Sequence, residues 1–209
     1  RFVPHGLQPE AITPVYGLAE CSVGLAFPPL GRGPRIDTIR RDAFIGEKRA
    51  VPASEGETGT MLLPACGRAL TGHEIRIVGE AGDELPDRQV GCLQFRGPSA
   101  TRGYFRNPEA TARLFRDGWL DSGDYAYLVE GEVYLTGRVK DLIIRGGRNL
   151  YPYELEEAVG EIPGIRKGCV AVFASTDPAN ATERLVVMAE TRERDEAARE
   201  VLRRKINEA

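Results

Sequence analysis

The sequence predicts an α+β protein, with a distorted β-barrel-like subdomain followed by a small α+β domain. Three observations carry this reading. Between Cys66 and Thr136, short apolar runs alternate with period two and are separated by turn residues, as half-buried strands do. After Arg138 the order becomes strand, helix, strand, strand, helix, and no internal repeat is visible. The chain has 209 residues, 42% hydrophobic and 28% charged, which is enough for one large or two small cores.

The elements follow in order. Val15-Tyr16 ends a short extended run after Pro14, Gly17 permits a turn, and Ser22 to Phe27 reads as a second apolar strand. Pro28-Pro29-Leu30-Gly31-Arg32-Gly33-Pro34 then breaks regular structure. From there to Ala65 the chain is polar and weakly periodic, and it reads as a loop or partly ordered insertion, long for a connection inside a compact domain. Glu74–Val78 and Gly91–Arg96 read as strands with a turn-rich Gly79–Gln89 between them. Asn107 can cap a short helix that has Pro108 at its first position. Tyr125–Leu128 and Glu132–Thr136 form a hairpin across Glu130-Gly131.

Beyond Arg138, Leu142-Ile143-Ile144 is a short strand ended by Gly146-Gly147. Pro152 opens a helix whose early Glu154, Glu156 and Glu157 suit its dipole. Cys169–Phe173 and Leu185–Ala189 read as buried strands joined through an Asp177-Pro178 turn. A helix from Asp195 places Val201, Leu202 and Ile206 on one side. The expected domains are 1–139, with an insertion at about 28–65, and 140–209.

Bulk properties exclude several classes. A formal net charge of −3 offers no basic field for nucleic acid. No apolar run approaches the roughly 20 residues of a membrane span, and no signal peptide opens the chain. Cys21, Cys66, Cys92 and Cys169 are scattered without metal-ligand spacing, as in reduced thiols of a cytoplasmic protein. His5 and His73 are isolated and read as structural or surface residues.

Chemistry concentrates in two stretches. In Tyr16-Gly17-Leu18-Ala19-Glu20, a ring followed by Gly can lie flat on a base, and Glu20 is a hard oxygen ligand suited to Mg²⁺ on phosphates. Taken singly, Tyr16 would be a core tyrosine and Glu20 a solvated carboxylate. In Asp121-Ser122-Gly123-Asp124, the Asp124 carboxylate can accept from both hydroxyls of a cis-diol. Arg138 follows after a hairpin that returns it toward Asp124, and its guanidinium holds oxygens in a fixed fork. Together these groups suit an adenosine nucleotide.

In this order, the motifs resemble those of the acyl-adenylate-forming enzymes, the superfamily of acyl-CoA synthetases, fatty-acyl-AMP ligases and luciferases. Tyr16 to Glu20 is similar to their Tyr-Gly-x-x-Glu motif, and Ser122-Gly123-Asp124 to Thr-Gly-Asp with Ser for Thr. Gly137-Arg138-Val139-Lys140-Asp141 and Gly146-Gly147-Arg148-Asn149-Leu150-Tyr151-Pro152-Tyr153-Glu154-Leu155-Glu156 resemble the motif around the interdomain hinge. The resemblance spans essentially the whole chain and is closest to the fatty-acyl-AMP ligase branch.

It implies ATP and Mg²⁺ as cofactors, with Tyr16 and Gly17 at adenine, Asp124 and Arg138 on ribose, and Glu20 on the metal. It implies that Lys140 is the hinge of a mobile C-terminal domain, and that the Gly146-Gly147 loop enters the active site or lines the thiol path. A fatty acid would be activated as its acyl adenylate and passed to a carrier-protein phosphopantetheine or to CoA. In the AMP ligases an insertion in the position of residues 28–65 is thought to hinder transfer to CoA.

Both ends read as cuts within a longer enzyme. The superfamily's phosphate loop, expected well before Tyr16, and its catalytic lysine, expected beyond Ala209, are not in this sequence, and Lys205 lacks the Gly-rich context to replace the lysine. The 209 residues alone are therefore expected to be catalytically inactive or nearly so. Two other readings stay open: part of an ordinary acyl-CoA synthetase, or a noncatalytic nucleotide- or carrier-binding module.

Overall fold

A computed structural model describes residues 3–145, 148–176 and 183–208. The chain divides into two compact units, Arg1–Val139 and Lys140–Ala209. The first begins with β1 (Ala26–Phe27), β2 (Ile36–Arg40), α1 (Arg41–Glu47), β3 (Thr60–Pro64) and β4 (Arg68–Ala69). It continues with β5 (Glu74–Val78), β6 (Gly91–Arg96), α2 (Pro108–Leu114), β7 (Phe115–Arg116), β8 (Trp119–Val129) and β9 (Glu132–Arg138).

Strands β5, β6, β8 and β7 lie side by side in that order, and β9 pairs the far half of β8. All these pairings are antiparallel. The eleven-residue β8 is the spine of the sheet because its two halves bind different neighbours. Alternating residues Ile77, Leu93, Phe95, Leu120, Ala126 and Val133 face one core, joined by Tyr16, Leu25 and Leu114. Each fully buried large side chain contributes about 1.5–3 kcal/mol relative to exposure. Asn107 caps α2 as expected: its side chain accepts from the Ala110 amide at 3.0 Å, with Pro108 at the first position.

The segment read as a loop is folded. Residues 36–64 form an antiparallel β2–β3 pair with α1 between. Its alternation is hidden in the sequence because three apolar residues are consecutive: Met61 and Leu63 are buried, whereas Leu62 is 67% exposed. Ile39 and Phe44 are fully buried. The run from Ser22 to Phe27, read as one strand, is mostly turn. A 3₁₀ turn over Ala19–Cys21 and left-handed Ser22 and Val23 precede the two-residue β1.

The second unit contains β10 (Ile143–Arg145), β11 (Arg148–Leu150), α3 (Pro152–Gly160), β12 (Ile165–Thr176), β13 (Glu183–Thr191) and α4 (Glu196–Glu208). The single strand expected at 142–144 has an antiparallel partner, since β10 pairs with β11. Strands β12 and β13 pair antiparallel, but they are not buried on both faces: Val172 is buried, while Phe173 is 42% and Met188 60% exposed. The expected Asp177-Pro178 turn lies outside the described residues. Asp195 starts α4 by accepting the Ala198 amide at 2.9 Å, and Leu202 is its buried residue.

Candidate functional site

Asp124 owes its position to an irregularity in the sheet. Cys92 pairs with Tyr125 and Gln94 with Asp121, so the β8 strand carries extra residues opposite Leu93. Such bulges bend a strand and re-aim side chains. The interrupted ladder is repaired locally. Ser122 Oγ donates to the Leu93 carbonyl at 2.8 Å and accepts the Asp124 amide at 3.1 Å, while the Gly123 amide donates to Asp121 Oδ1 at 2.9 Å. The serine that stands where Thr is usual in the resembled motif therefore shapes the bulge.

Tyr16 reaches this carboxylate from 108 positions away, its hydroxyl donating to Asp124 Oδ2 at 2.6 Å. A two-way backbone exchange between Tyr16 and Ala26 fixes its main chain. The side chain is 5% exposed and part of the core. Burial first, and the bond to Asp124 second, push its phenol above the ordinary range. Gly17 is required by the local backbone. A Cβ there would lie 1.4 Å from the Val23 carbonyl oxygen, so any side chain would break the turn that carries Glu20.

Arg138 pairs across the sheet with Asp124, through the hairpin expected from the sequence. Its Nε stands 3.7 Å from Asp124 Oδ1 and the side chain is 73% exposed, against 15% for Asp124. This guanidinium is held loosely and has donors to spare. Lys140 is exposed at the start of the second unit. Gly146 and Gly147 lie outside the described residues.

Glu20 is engaged elsewhere, by Tyr104, which no local sequence pattern links to it. The Tyr104 hydroxyl donates to Glu20 Oε1 at 2.6 Å, and this bond, ahead of partial burial, raises the Tyr104 phenol. Among the described residues no group of three or more His, Cys, Asp or Glu side chains could cage a metal ion. His73 has the structural role expected of it: its Nε2 lies 2.7 Å from Ser99 Oγ.

Taken together, a curled antiparallel sheet and a separate small α+β unit match the fold of the adenylate-forming enzymes. Over 98% of this chain and 36% of the other, it superposes with a TM-score of 0.88 and 32% identity on a chain from structural and functional studies of fatty acyl-adenylate ligases from E. coli and L. pneumophila. The family of AMP-binding enzymes matches residues 1–105, and the chain belongs to that family. A putative acyl-CoA synthetase of Caulobacter vibrioides is 41% identical across 98% of the chain. The long-chain-fatty-acid–AMP ligase FadD26 of Mycobacterium tuberculosis is 35% identical across 97%. The chain spans 36% of the length of each of these two relatives.

Proposed function

We propose that this chain is part of an ATP-dependent fatty-acyl-AMP ligase. The observation that carries the reading is the Tyr16–Asp124–Arg138 group, in which a carboxylate bonded by Tyr16 is only loosely paired with a mostly exposed arginine. Asp124 fits a ribose diol. Oδ2 receives one hydroxyl from Tyr16, and Oδ1 faces Arg138 beyond hydrogen-bond distance, at 3.7 Å. An ionised carboxylate offers about four lone-pair sites, so capacity remains for both ribose hydroxyls. Arg138 would share the ribose, and Tyr16 with Gly17 would border adenine.

Glu20 would give Mg²⁺ one protein oxygen, the phosphates supplying others, as is usual for this small, strongly hydrated ion. The metal would neutralise phosphate charge when bound. The fatty-acid carboxylate attacks the α-phosphorus, a new C–O–P linkage forms, and pyrophosphate leaves with the electron pair of the broken P–O bond. A thiol then displaces AMP from the acyl carbon. Residues 1–139 would be the C-terminal part of the large AMP-binding domain and 140–209 the first part of the small mobile domain. Lys140 would be the hinge, and Gly146-Gly147 the loop brought to the active site or thiol path.

The acceptor would be a carrier-protein phosphopantetheine. A second reading, transfer to CoA, is favoured by the 41% identity to a putative acyl-CoA synthetase. Incubating the full-length gene product with ATP, Mg²⁺ and mixed fatty acids, with and without CoA, separates them by mass spectrometry. Acyl adenylate that persists despite CoA is expected. Rapid acyl-CoA formation would replace the first reading with the second, and no product from any acid would leave a noncatalytic binding module.

No described helix is long and apolar enough to cross a membrane. A cytoplasmic location, with scattered thiols kept reduced, is part of the proposal.

A further inference from the structure

Glu20 sits in a short turn that would let its side chain swing, yet the structure grips that turn from the 97–107 loop at several points. The Thr101 amide donates to the Glu20 carbonyl at 2.7 Å. Ser22 Oγ donates to the Ser99 carbonyl at 3.2 Å, and Ser99 Oγ donates to the Cys21 carbonyl at 3.3 Å. His73 in turn holds Ser99. The same loop delivers Tyr104, whose hydroxyl takes Glu20 Oε1 at 2.6 Å. That is the length expected of a charge-assisted O–H···O⁻ bond.

Tyr104 is itself anchored. Its amide donates to Thr111 Oγ1 at 2.9 Å, and Thr111 Oγ1 donates to the Asn107 carbonyl at 2.8 Å. Thr101 Oγ1 spans the intervening turn, bonding the carbonyl and amide of Gly103 at 3.0 and 3.2 Å. Gly103 has φ of +139°, and a Cβ there would meet Thr111 at 2.6 Å, so the loop can approach α2 this closely only with glycine. Tyr104 remains 41% exposed, and Glu20 Oε2 receives no hydrogen bond from a described residue.

We infer that Tyr104 is a positioning residue for Glu20: it holds one carboxylate oxygen so that the other is presented, in a fixed rotamer, to a divalent cation on the nucleotide phosphates. This rests on the reading of Glu20 as a Mg²⁺ ligand. Bonds from neighbouring groups orient metal-binding side chains, and their removal typically costs 10–100-fold in metal affinity.

The test uses the full-length gene product and the affinity for α,β-methylene-ATP measured by calorimetry, once with Mg²⁺ and once with EDTA. The wild type is expected to gain affinity from the metal, Glu20→Gln to lose most of that gain, and Tyr104→Phe to lose about tenfold of it. AMP affinity in EDTA should stay within about twofold for Tyr104→Phe, since no metal is involved. If Glu20→Gln loses the gain while Tyr104→Phe keeps it, the positioning role is wrong and the Glu20 reading stands. If Glu20→Gln keeps the whole gain, the Glu20 reading fails and takes the inference with it. An equal loss of AMP and metal-dependent affinity in Tyr104→Phe would reduce Tyr104 to a scaffold contact and overturn the inference.

Discussion

Two groups in the first unit use the same three residue types. In one, Tyr16 donates to Asp124 at 2.6 Å with Arg138 Nε 3.7 Å away. In the other, Tyr127 donates to Asp37 Oδ2 at 2.8 Å, and Arg88 donates to the same oxygen at 3.0 Å. Both tyrosines are buried, and the two carboxylates are similarly enclosed, 15% exposed for Asp124 and 12% for Asp37. The arginines differ. Arg88 is 31% exposed and also donates to the Ala50 carbonyl at 2.9 Å, while its amide bonds the Leu128 carbonyl. Arg138 is 73% exposed and touches Asp124 only at ion-pair distance.

The Asp37 group clasps the 36–64 segment to the β8–β9 hairpin, where Tyr127 also stacks on Tyr134 with centroids 5.0 Å apart. The Asp124 group keeps donors and acceptors available. Commitment of the guanidinium, not the choice of residues, separates a clasp from an open site.

The largest expected effect breaks the clasp. Asp37→Ala leaves the buried Tyr127 hydroxyl without its acceptor and Arg88 with only the Ala50 carbonyl, and should cost about 3 kcal/mol, the upper range for orphaned buried partners. Urea denaturation of the wild type and variant measures it. A loss no larger than that of Asp124→Ala would erase the distinction between the two groups.

High pH should reveal the same clasp. Burial and then Asp37 raise the Tyr127 phenol above its ordinary value of 10.0, and Tyr16 is raised as well. The fold thus favours the neutral phenols. Their contribution is fully present below pH 10.0 and declines as pH rises above it. Stability followed from pH 9 to 11 should fall, and Tyr127→Phe should make the slope shallower. An unchanged slope in that variant would exclude Tyr127 as its source.

At the open site the effects should fall on binding. Asp124→Asn keeps an oxygen for Tyr16 and should change stability by less than about 1 kcal/mol. It should nonetheless weaken AMP binding by the full-length protein at least roughly tenfold, since bonds to charged groups contribute about 1.5–3 kcal/mol. Arg138→Ala should be the mildest for the fold, within about 0.5 kcal/mol, because its side chain is mostly solvated. A large drop in melting temperature with unchanged AMP affinity in either variant would turn the open site into a second clasp.

Much of this was legible in the chain. The β5 and β6 strands, the hairpin across Glu130-Gly131 and the Asn107 cap obey short-range rules, and each formed where those rules put it. The return of Arg138 toward Asp124 is one more hairpin consequence. The 36–64 segment was missed because its strands bury one face each, and the apolar run Met61-Leu62-Leu63 conceals the alternation. The exposed faces of β12 and β13 were misjudged for the converse reason, since continuous apolar runs imitate burial on both sides.

By itself the sequence determined the α+β class, those local elements that obey short-range rules, and residue types suited to a nucleotide. Those depend on periodicity, turn chemistry and motifs within a few residues of one another. Tertiary structure alone decided the pairings: Arg88 with Asp37 across 51 positions, Tyr104 with Glu20 across 84, and Tyr16 with Asp124 across 108. Such contacts leave no periodic trace, because a tyrosine and a carboxylate far apart in the chain become partners only when a bulge or loop brings them within 3 Å.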